Sequence, residues 1–572
     1  MNRIVLCIPL LIVVAGCLDT GDELVVDNET QASTKVVEQG VTFQNASAEL
    51  APFSRAATGE GLGGVAWLDY DQDGYLDLYL SNGVTMDPAS PNFNALFRND
   101  GDGGFTNVTF AAGVQNGFGT SGVLVGDIDN DGYPDMYLSG EGFVAGPQQT
   151  PTRLYHNNGD GTFEEISAQA GVFSATSEMG AAFGDINGDG YLDLFVTAPG
   201  HIPFLTGPGT AASPPNKLYL NNGDLTFTEI ASTAGVTGQY EVPGIGTLTD
   251  GACVVSFLDY DSDGDQDILV GNCNAYPYFP FPMPVRPTPF NLYRNNGDLT
   301  FTDVAPAAGL DIPGFWMGLA VGDVDNDGDE DFFATSLGAF NNAGLSHAMM
   351  INNGDGTFSN NNAGIGATEF GWGTTMADFD NDGDLDLFQV GALPLFGAIG
   401  PGTASAGRLS YNNGDGTFTD GTADTGVNLS FDYTTGTAQG DYDGDGFADL
   451  VVITAPWSIP QAGLANPNGA PVLLRNNGNN NHAITVRLRT ASGASPVGTR
   501  VEAKVKHDRQ VRVVRAGSSM GSTNSPWPSF GIGARDDADV KVYWASGLVE
   551  EFDVGADKLV TLTEGTGESD DD

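Results

Sequence analysis

Apolar residues recur along the chain in short bursts rather than in long amphipathic stretches. LYLSNG from Leu78, MYLSG from Met136, LFVTAPG from Leu194 and LVVITAPW from Leu450 are rich in β-branched and aromatic residues and stop at turn residues, which predicts short strands. A second phrase alternates with these bursts: LFRNDGDGGF from Leu96, LYHNNGDGTF from Leu154, LYLNNGDLTF from Leu218, LYRNNGDLTF from Leu292, MMINNGDGTF from Met349, LSYNNGDGTF from Leu409 and LLRNNGNNNH from Leu473. Strand, N-N-G-D turn and strand make a β-hairpin. Each unit therefore holds four short strands, and seven units predict an all-β seven-bladed β-propeller over residues 40–480. The last hairpin lacks a good final strand, while VTFQNASAELA, from Val41, matches the second half of the hairpin phrase. A strand near Thr42 and Phe43 is thus expected to complete the blade begun near Leu473 and remove its open edge.

Between the first two strands of each unit stands DxDxDGxxD, starting at Asp69, Asp127, Asp185, Asp259, Asp323, Asp378 and Asp441. Calcium takes six to eight oxygens at about 2.3–2.6 Å, and alternate positions of a tight loop can turn carboxylates inward. The expected carboxylates at positions 1, 3, 5 and 9 are Asp69, Asp71, Asp73 and Asp77; Asp127, Asp129, Asp131 and Asp135; and, with one amide, Asp185, Asn187, Asp189 and Asp193. They continue as Asp259, Asp261, Asp263 and Asp267; Asp323, Asp325, Asp327 and Asp331; Asp378, Asp380, Asp382 and Asp386; and Asp441, Asp443, Asp445 and Asp449. Position 7 would offer its backbone carbonyl, from Tyr75, Tyr133, Tyr191, Asp265, Asp329, Asp384 and Phe447. Position 6 is always glycine, as a sharp turn requires. A solvated acidic turn explains one such copy, but not a register that keeps 27 of 28 carboxylates. Up to seven calcium ions are expected. An EF-hand is excluded because position 12 is Leu80, Leu138, Val196, Val270, Ala334, Gln389 or Val452, never a carboxylate.

Charge agrees with this reading. The 572 residues carry 21 Lys+Arg against 74 Asp+Glu, a net charge of −53. This excludes nucleic acid as a natural partner, since phosphate binding needs a basic footprint. From about Asn481 the sign changes: residues 481–560 hold 11 Lys+Arg and 9 Asp+Glu, and AITVRLRT, RVEAKVKH and RQVRVVRAG alternate as strands with one apolar face. A small β-sandwich-like domain is expected over 481–565 and a disordered acidic tail over 566–572. The arginines and lysines of these strands, Arg500, Lys504, Lys506, Arg509, Arg512 and Arg515, read as a polyanion surface, or as a face docked on the acidic propeller or simply a charged exposed face; the latter pair is preferred.

At the N-terminus an apolar run of twelve residues, Ile4 to Ala15, is too short to span a bilayer and reads as a secretion signal. Val14-Ala15-Gly16-Cys17 resembles a bacterial lipobox, which implies a signal over 1–16, lipidation of Cys17, an acidic tether over 17–39 and attachment to the cell envelope through the lipid alone, at the outer membrane or cell surface. In that oxidising setting Cys253 and Cys273, on the strands that flank one acidic loop, form either a disulfide or a pair of buried thiols.

The alternating phrases resemble the FG-GAP or VCBS repeats of integrin-type propellers. The C-terminal order VGTRVEAKV, RQVRVVRAGSSMGSTNSPWPSFGIG and VKVYWASGLVEEFDV resembles the ASPIC/UnbV domain. Gly517, Ser518, Asn524, Ser525, Trp544, Ser546 and Gly547 match its pattern, although MGSTNSPWPSF departs from the usual ending. Together the two resemble the family of cartilage acidic protein and its bacterial relatives, which is defined by architecture more than by a shared activity.

In an up-and-down blade the acidic loops and hairpin turns share one face, and the insertions lie on the other. The insertion NAYPYFPFPMPVRPTPF, from Asn274, offers Tyr276, Tyr278, Phe279, Phe281 and Phe290 as candidate ligand-facing rings, or as rings packed on the blade. No nucleophile elbow or H-E-x-x-H helix is present, and the five histidines share no spacing. His156 holds a hairpin position occupied by Arg98, Leu220 and Arg294 elsewhere and reads as neutral variation. The expected function is a calcium-binding surface lipoprotein, not an enzyme, recognising a surface glycan, matrix component or protein. The alternatives are a structural envelope protein or a hydrolase or lyase acting on polysaccharide.

Overall fold

The computed structural model describes residues 40–50, 63–81, 94–116, 119–140, 151–176, 178–199, 214–242, 246–273, 289–336, 346–366, 371–391, 407–427, 429, 433–455, 457–459, 464–466, 471–505 and 508–569. Cys17, Tyr276, Tyr278, Phe279 and Phe281, with the signal and tether segments, lie outside them.

Seven antiparallel four-stranded sheets follow one another along the chain. Blade 1 runs through Val65–Leu68, Asp77–Leu80, Ala95–Asn99 and Phe105–Asn107, and the others repeat this order. The inner strands of neighbouring blades touch in cyclic order, the seventh returning to the first, so the sheets form a closed propeller. Closure uses both ends of the described propeller: Phe43–Asn45 pairs antiparallel with Val472–Asn476, with Phe43 opposite Asn476. Both faces of the sheets are buried. Alternate residues of one strand serve different neighbours: Val65 and Trp67 pack toward blade 7 with Tyr442 and Val451, whereas Ala66 and Leu68 pack toward blade 2 with Val123 and Val125. The core is therefore divided among the blade interfaces, each filled from two sides.

Cys253 in the inner strand of blade 4 and Cys273 just beyond its second strand form a disulfide, with Cα atoms 5.7 Å apart. Phe290, grouped with the aromatic insertion on sequence, is instead fully buried in the interface between blades 4 and 5, stacked on Trp316 at 4.4 Å and edge-on to Phe332. It sits at the re-entry of the insertion into the sheet, where apolar area is removed from water, and cannot present a face to a ligand.

After blade 7 the chain forms two further sheets. One joins Ser529–Gly533, His482–Arg489 and Leu559–Thr563; the other joins Asp508–Val513, Arg500–Val505, Asp537–Tyr543, Val549–Gly555 and Glu568–Ser569. Ile484, Val486, Phe530 and Ile532 of the first meet Val501, Ala503, Val540 and Val542 of the second in one apolar core, as in a sandwich. Glu568 and Ser569, expected on sequence to belong to a disordered tail, form a strand instead. Glu568 and Ser569 pair with Glu551 and Glu550, because the buried Glu550 carboxylate accepts the N–H groups of Gly565 and Gly567 at 2.9 and 2.8 Å and anchors the turn before them.

Between Val513 and Ser529 this module sends a segment into the centre of the propeller. Thr523 bonds both ways to the inner strand of blade 1, N–H to Val65 O at 2.8 Å and O to Trp67 N–H at 3.1 Å. Gly521 O accepts from Val123 of blade 2, Ala516 O from Phe183 of blade 3, the Ser519 N–H donates to Leu319 of blade 5, and the Ser525 N–H to Gln439 of blade 7. Ser519 Oγ accepts the Thr374 N–H of blade 6 at 2.9 Å. The segment is thus a plug in the channel. Gly521, at φ 57°, is required there: a Cβ would lie 2.6 Å from Gly122 Cα and from Ser121 O.

Replacing both Cys253 and Cys273, 20 residues apart, by serine removes a loop closure and is expected to lower stability by about 3 kcal/mol, measured by urea unfolding against the oxidised protein.

Candidate metal centres

The acidic loops are built by the fold before any ion is considered. In each, position 4 takes a left-handed backbone, at Gln72, Asn130, Gly188, Ser262, Asn326, Asn381 and Gly444, and so does the glycine two residues later. These paired left-handed turns bring the loop N–H groups round onto position 1. Asp127 accepts from Asp131 at 3.2 Å and Gly132 at 2.9 Å, and Asp378 from Asp382 at 3.0 Å and Gly383 at 2.8 Å. The position 5 carboxylate accepts the N–H of position 7, as in Asp131 to Tyr133 at 2.8 Å.

Position 9 has a role that the spacing alone did not reveal. In every blade one oxygen of this aspartate accepts the N–H of position 2, at 2.8–3.2 Å, and the other accepts the N–H of the first hairpin asparagine, at 2.7–2.9 Å. Those asparagines are Asn99, Asn157, Asn221, Asn295, Asn352, Asn412 and Asn476. Each sends its amide to the position 2 carbonyl of the preceding blade at 2.7–2.9 Å; Asn99 closes the ring onto Tyr442 of blade 7. The signal for this was present: the first Asn of the turn phrase recurs seven times, although a turn needs only its neighbours.

Carboxylate oxygens converge as predicted. Ligand atoms of Asp69, Asp71 and Asp77 lie within 4.8 Å of one another, as do those of Asp127, Asp129 and Asp135, of Asp259, Asp261 and Asp263, and of Asp323, Asp325 and Asp331. The buried Oδ1 atoms of Asp69, Asp71, Asp261 and Asp443 have no hydrogen-bond partner. Buried acceptors without donors are costly, and several carboxylate oxygens gathered this closely are the donor set that a hard divalent ion takes. The residues present therefore fit a metal ion.

Burial without such an ion is expressed in the carboxyls themselves. Desolvation, with repulsion from loop neighbours, pushes Asp69 and Asp127 up to about 6, Asp193 and Asp441 to about 7, Asp267 and Asp331 to about 8 and Asp77 to about 9. Asp135, Asp378, Asp386 and Asp449 are displaced in the same direction, chiefly by burial.

His156 is not a neutral variation. Its position on the third strand overlies loop position 3, and Nε2 lies 2.8 Å from Asp129 Oδ2; that bond raises the imidazole to about 9. Arg475 stands 3.8 Å from Asp443 in the same way. The C-terminal arginines face these loops too. Arg487 pairs with Asp69 Oδ2 at 2.9 Å, Arg500 donates to Gly328 O at 2.9 Å, Arg509 to Asp327 O at 3.2 Å, and Arg515 pairs with Glu330. The partly buried Arg512 faces Asp378 and Asp323. Docking, not an open polyanion surface, accounts for these five; Lys504 is exposed and Lys506 lies outside the described residues.

Asn295→Ala strands the Ile186 and Gln266 carbonyls that its amide serves at 2.9 and 3.2 Å, and is expected to cost about 2–4 kcal/mol in urea unfolding, with the loop 4 carboxylates unchanged.

Comparison with known proteins agrees with the geometry. Residues 69–138, 143–196, 259–334 and 340–388 match the FG-GAP-like repeat, 433–484 the FG-GAP repeat, and 489–569 the ASPIC and UnbV domain. Cartilage acidic protein 1 of Homo sapiens is 26% identical over 472 residues, covering 77% of this chain and 62% of that protein. The Mus musculus protein is also 26% identical, covering 77% and 64%. The match thus spans less than two thirds of the relatives' own length. Among solved structures, an Agrocybe aegerita lectin specific for non-reducing terminal N-acetylglucosamine is 17% identical with a TM-score of 0.37, covering 76% of this chain and 94% of that one. The Bacillus licheniformis rhamnogalacturonan lyase is 12% identical with a TM-score of 0.35, covering 76% and 75%. No helix among the described residues is long and apolar enough to cross a membrane. The chain is an FG-GAP-repeat β-propeller protein with a C-terminal ASPIC and UnbV domain, similar to cartilage acidic protein 1.

Proposed function

We propose that this is a calcium-binding recognition protein that engages a surface glycan, a matrix component or a protein through the face opposite its acidic loops. The observation that carries the reading is the placement of the C-terminal module. It bonds to the acidic loops and fills the channel with the 514–528 segment. A macromolecule approaching along the axis meets the module at the loop end, which leaves recognition to the other end, where each blade's second strand ends and its third begins. The proline- and aromatic-rich segment 274–288 leaves and rejoins the blade 4 sheet at that end. Similarity to a protein named for cartilage favours a matrix component or protein. Oxygen-only ligand sets in six of seven loops, with a single histidine near the other, favour calcium over softer metals. Lipidation at Cys17 would tether the protein to an envelope surface.

Calcium supplies charge neutralisation and loop order; the chain supplies the carboxylates, and the turns that aim them. The linkage has a definite sign. In the metal-free protein, buried Asp77, Asp267 and Asp331, raised to about 9, 8 and 8, are protonated at neutral pH. Carboxyls raised on folding favour the folded state at low pH, and that contribution is lost as pH rises through their folded values. Chelated protein is therefore expected to lose thermal stability steadily from about pH 4 to about pH 9. Adding calcium at pH 7 is expected to release protons and restore it; a calorimetric titration in buffers of different ionisation enthalpy measures the release.

The recognition reading is tested by binding of the protein from residue 18 onward to arrayed surface glycans and matrix proteins in millimolar calcium, with and without residues 274–288. A hit lost with the segment supports the reading. A folded, calcium-loaded protein that binds nothing favours the structural alternative.

A further inference from the structure

The seven acidic loops repeat in sequence but not in surroundings, because the C-terminal module bonds only some of them. In loop 1 Arg487 reaches Asp69 and Gln72. The Ser495 N–H donates to Asn130 Oδ1 of loop 2 at 2.9 Å. Arg500 and Arg509 hold the Gly328 and Asp327 carbonyls of loop 5. In loop 6 Asn481 donates to Asp380 O at 2.8 Å and the Gly533 N–H to Asn381 O at 3.1 Å. Among the described residues, the module makes no such bond to loops 3, 4 and 7.

We propose that the module is the outer shell of cation sites 1, 2, 5 and 6, so that calcium binding at these four and seating of the plug in the channel are one linked equilibrium, while sites 3, 4 and 7 bind independently of it. The inference rests on the calcium reading above.

Two effects oppose each other, and the contacts decide between them. An arginine beside a calcium site repels the ion, which would make ion and module compete. Arg487 pairs with a ligand carboxylate directly, and it takes Oδ2 while Asp69 Oδ1 is left to the ion. The remaining bonds go to backbone carbonyls or to the position 4 side chain. At loop 2 the bonding groups of the module are uncharged; at loops 5 and 6 Arg512 faces Asp323 and Asp378 without donating a hydrogen bond to either, and the bonds themselves go to backbone carbonyls. These acceptors exist only while position 4 and the glycine after it hold their left-handed turns, at φ 63° and 91° in loop 2 and 56° and 105° in loop 6. Emptying a loop leaves aspartates repelling one another within 4.8 Å and disperses the acceptors. The ion and the module therefore favour the same loop conformation, and the coupling is positive. It is also reciprocal: whatever factor the ion adds to plug seating, plug seating adds to ion affinity.

The test uses the full chain and calcium alone. In wild type, amide hydrogen exchange at Ser519, Thr523 and Ser525 is followed as calcium is withdrawn; exchange there should rise at least about tenfold before the second and third strands of the blades lose protection. The Gly521→Leu variant places a side chain against the Gly122 backbone and should expel the plug without altering any loop. Calorimetric calcium titration should then find four sites weakened by about fivefold or more, within the usual range of coupling between sites, and three unchanged. Arg500→Ala with Arg509→Ala, which leaves the plug intact, should weaken one site only. Unchanged plug protection on calcium withdrawal, or calcium affinities in either variant equal to or above wild type, overturns the inference. A wild-type protein that takes up no calcium overturns the functional reading instead, and the two failures are distinct.

Discussion

Everything in the propeller hangs on a single asparagine per blade. Its backbone N–H is received by the position 9 aspartate of its own acidic loop, and its side-chain amide reaches across to the loop of the preceding blade. The asparagine bond recurs at every junction between blades, beside position 4 amides that also cross, as in Gln72 to Gly132 O at 2.8 Å and Asn381 to Gly446 O at 3.0 Å, while the packed side chains between the sheets add apolar, non-directional contact. Directional bonds between buried partners set the angle at which one blade meets the next, and seven equal angles must close. The last bond, Asn99 to Tyr442 O at 2.7 Å, joins residues 343 positions apart and is possible only when the other six are made.

The same aspartate makes the loops electrostatically expensive. To receive two N–H groups it must be buried, and its burial lies beside three more acidic positions. The molecule answers this negative charge with three kinds of positive partner: protons on raised carboxyls, the side chains His156 and Arg475 from the third strands, and arginines from the C-terminal module. A divalent ion answers it more completely, because it reaches several oxygens at once at a distance no ammonium or guanidinium can. The blade staple and the ion site are consequently one structure, since position 9 belongs to both.

The C-terminal module changes what the propeller offers to a partner. Its plug runs down the axis in contact with the inner strands of blades 1, 2, 3, 5, 6 and 7, so the channel is part of the protein's interior. The glycine pairs Gly64 with Gly521 and Gly122 with Gly521 bring backbones together where any side chain would collide. The channel is thereby closed to a partner by the protein's own chain.

Much of this was legible in the chain because it is local. A two-residue alternation, a turn phrase and a nine-residue acidic phrase each reflect interactions within a few residues, and their recurrence counts the blades; even ring closure could be read from the orphan half-phrase at Thr42 and Phe43. The disulfide was left open by the sequence, since two cysteines flanking a loop need only the right pleat to bond or to miss. What the sequence could not disclose depends on residues far apart. Phe290 looks like part of an aromatic loop until the sheet buries it against Trp316, and His156 looks incidental until the third strand lays it over Asp129. The basic strands of the module gain their meaning from the acidic loops they cover, and MGSTNSPWPSF from its place in the channel. Local periodicity determined the number and kind of elements; the tertiary structure alone decided which charges meet and what fills the channel, because those depend on distances that close only when the ring does.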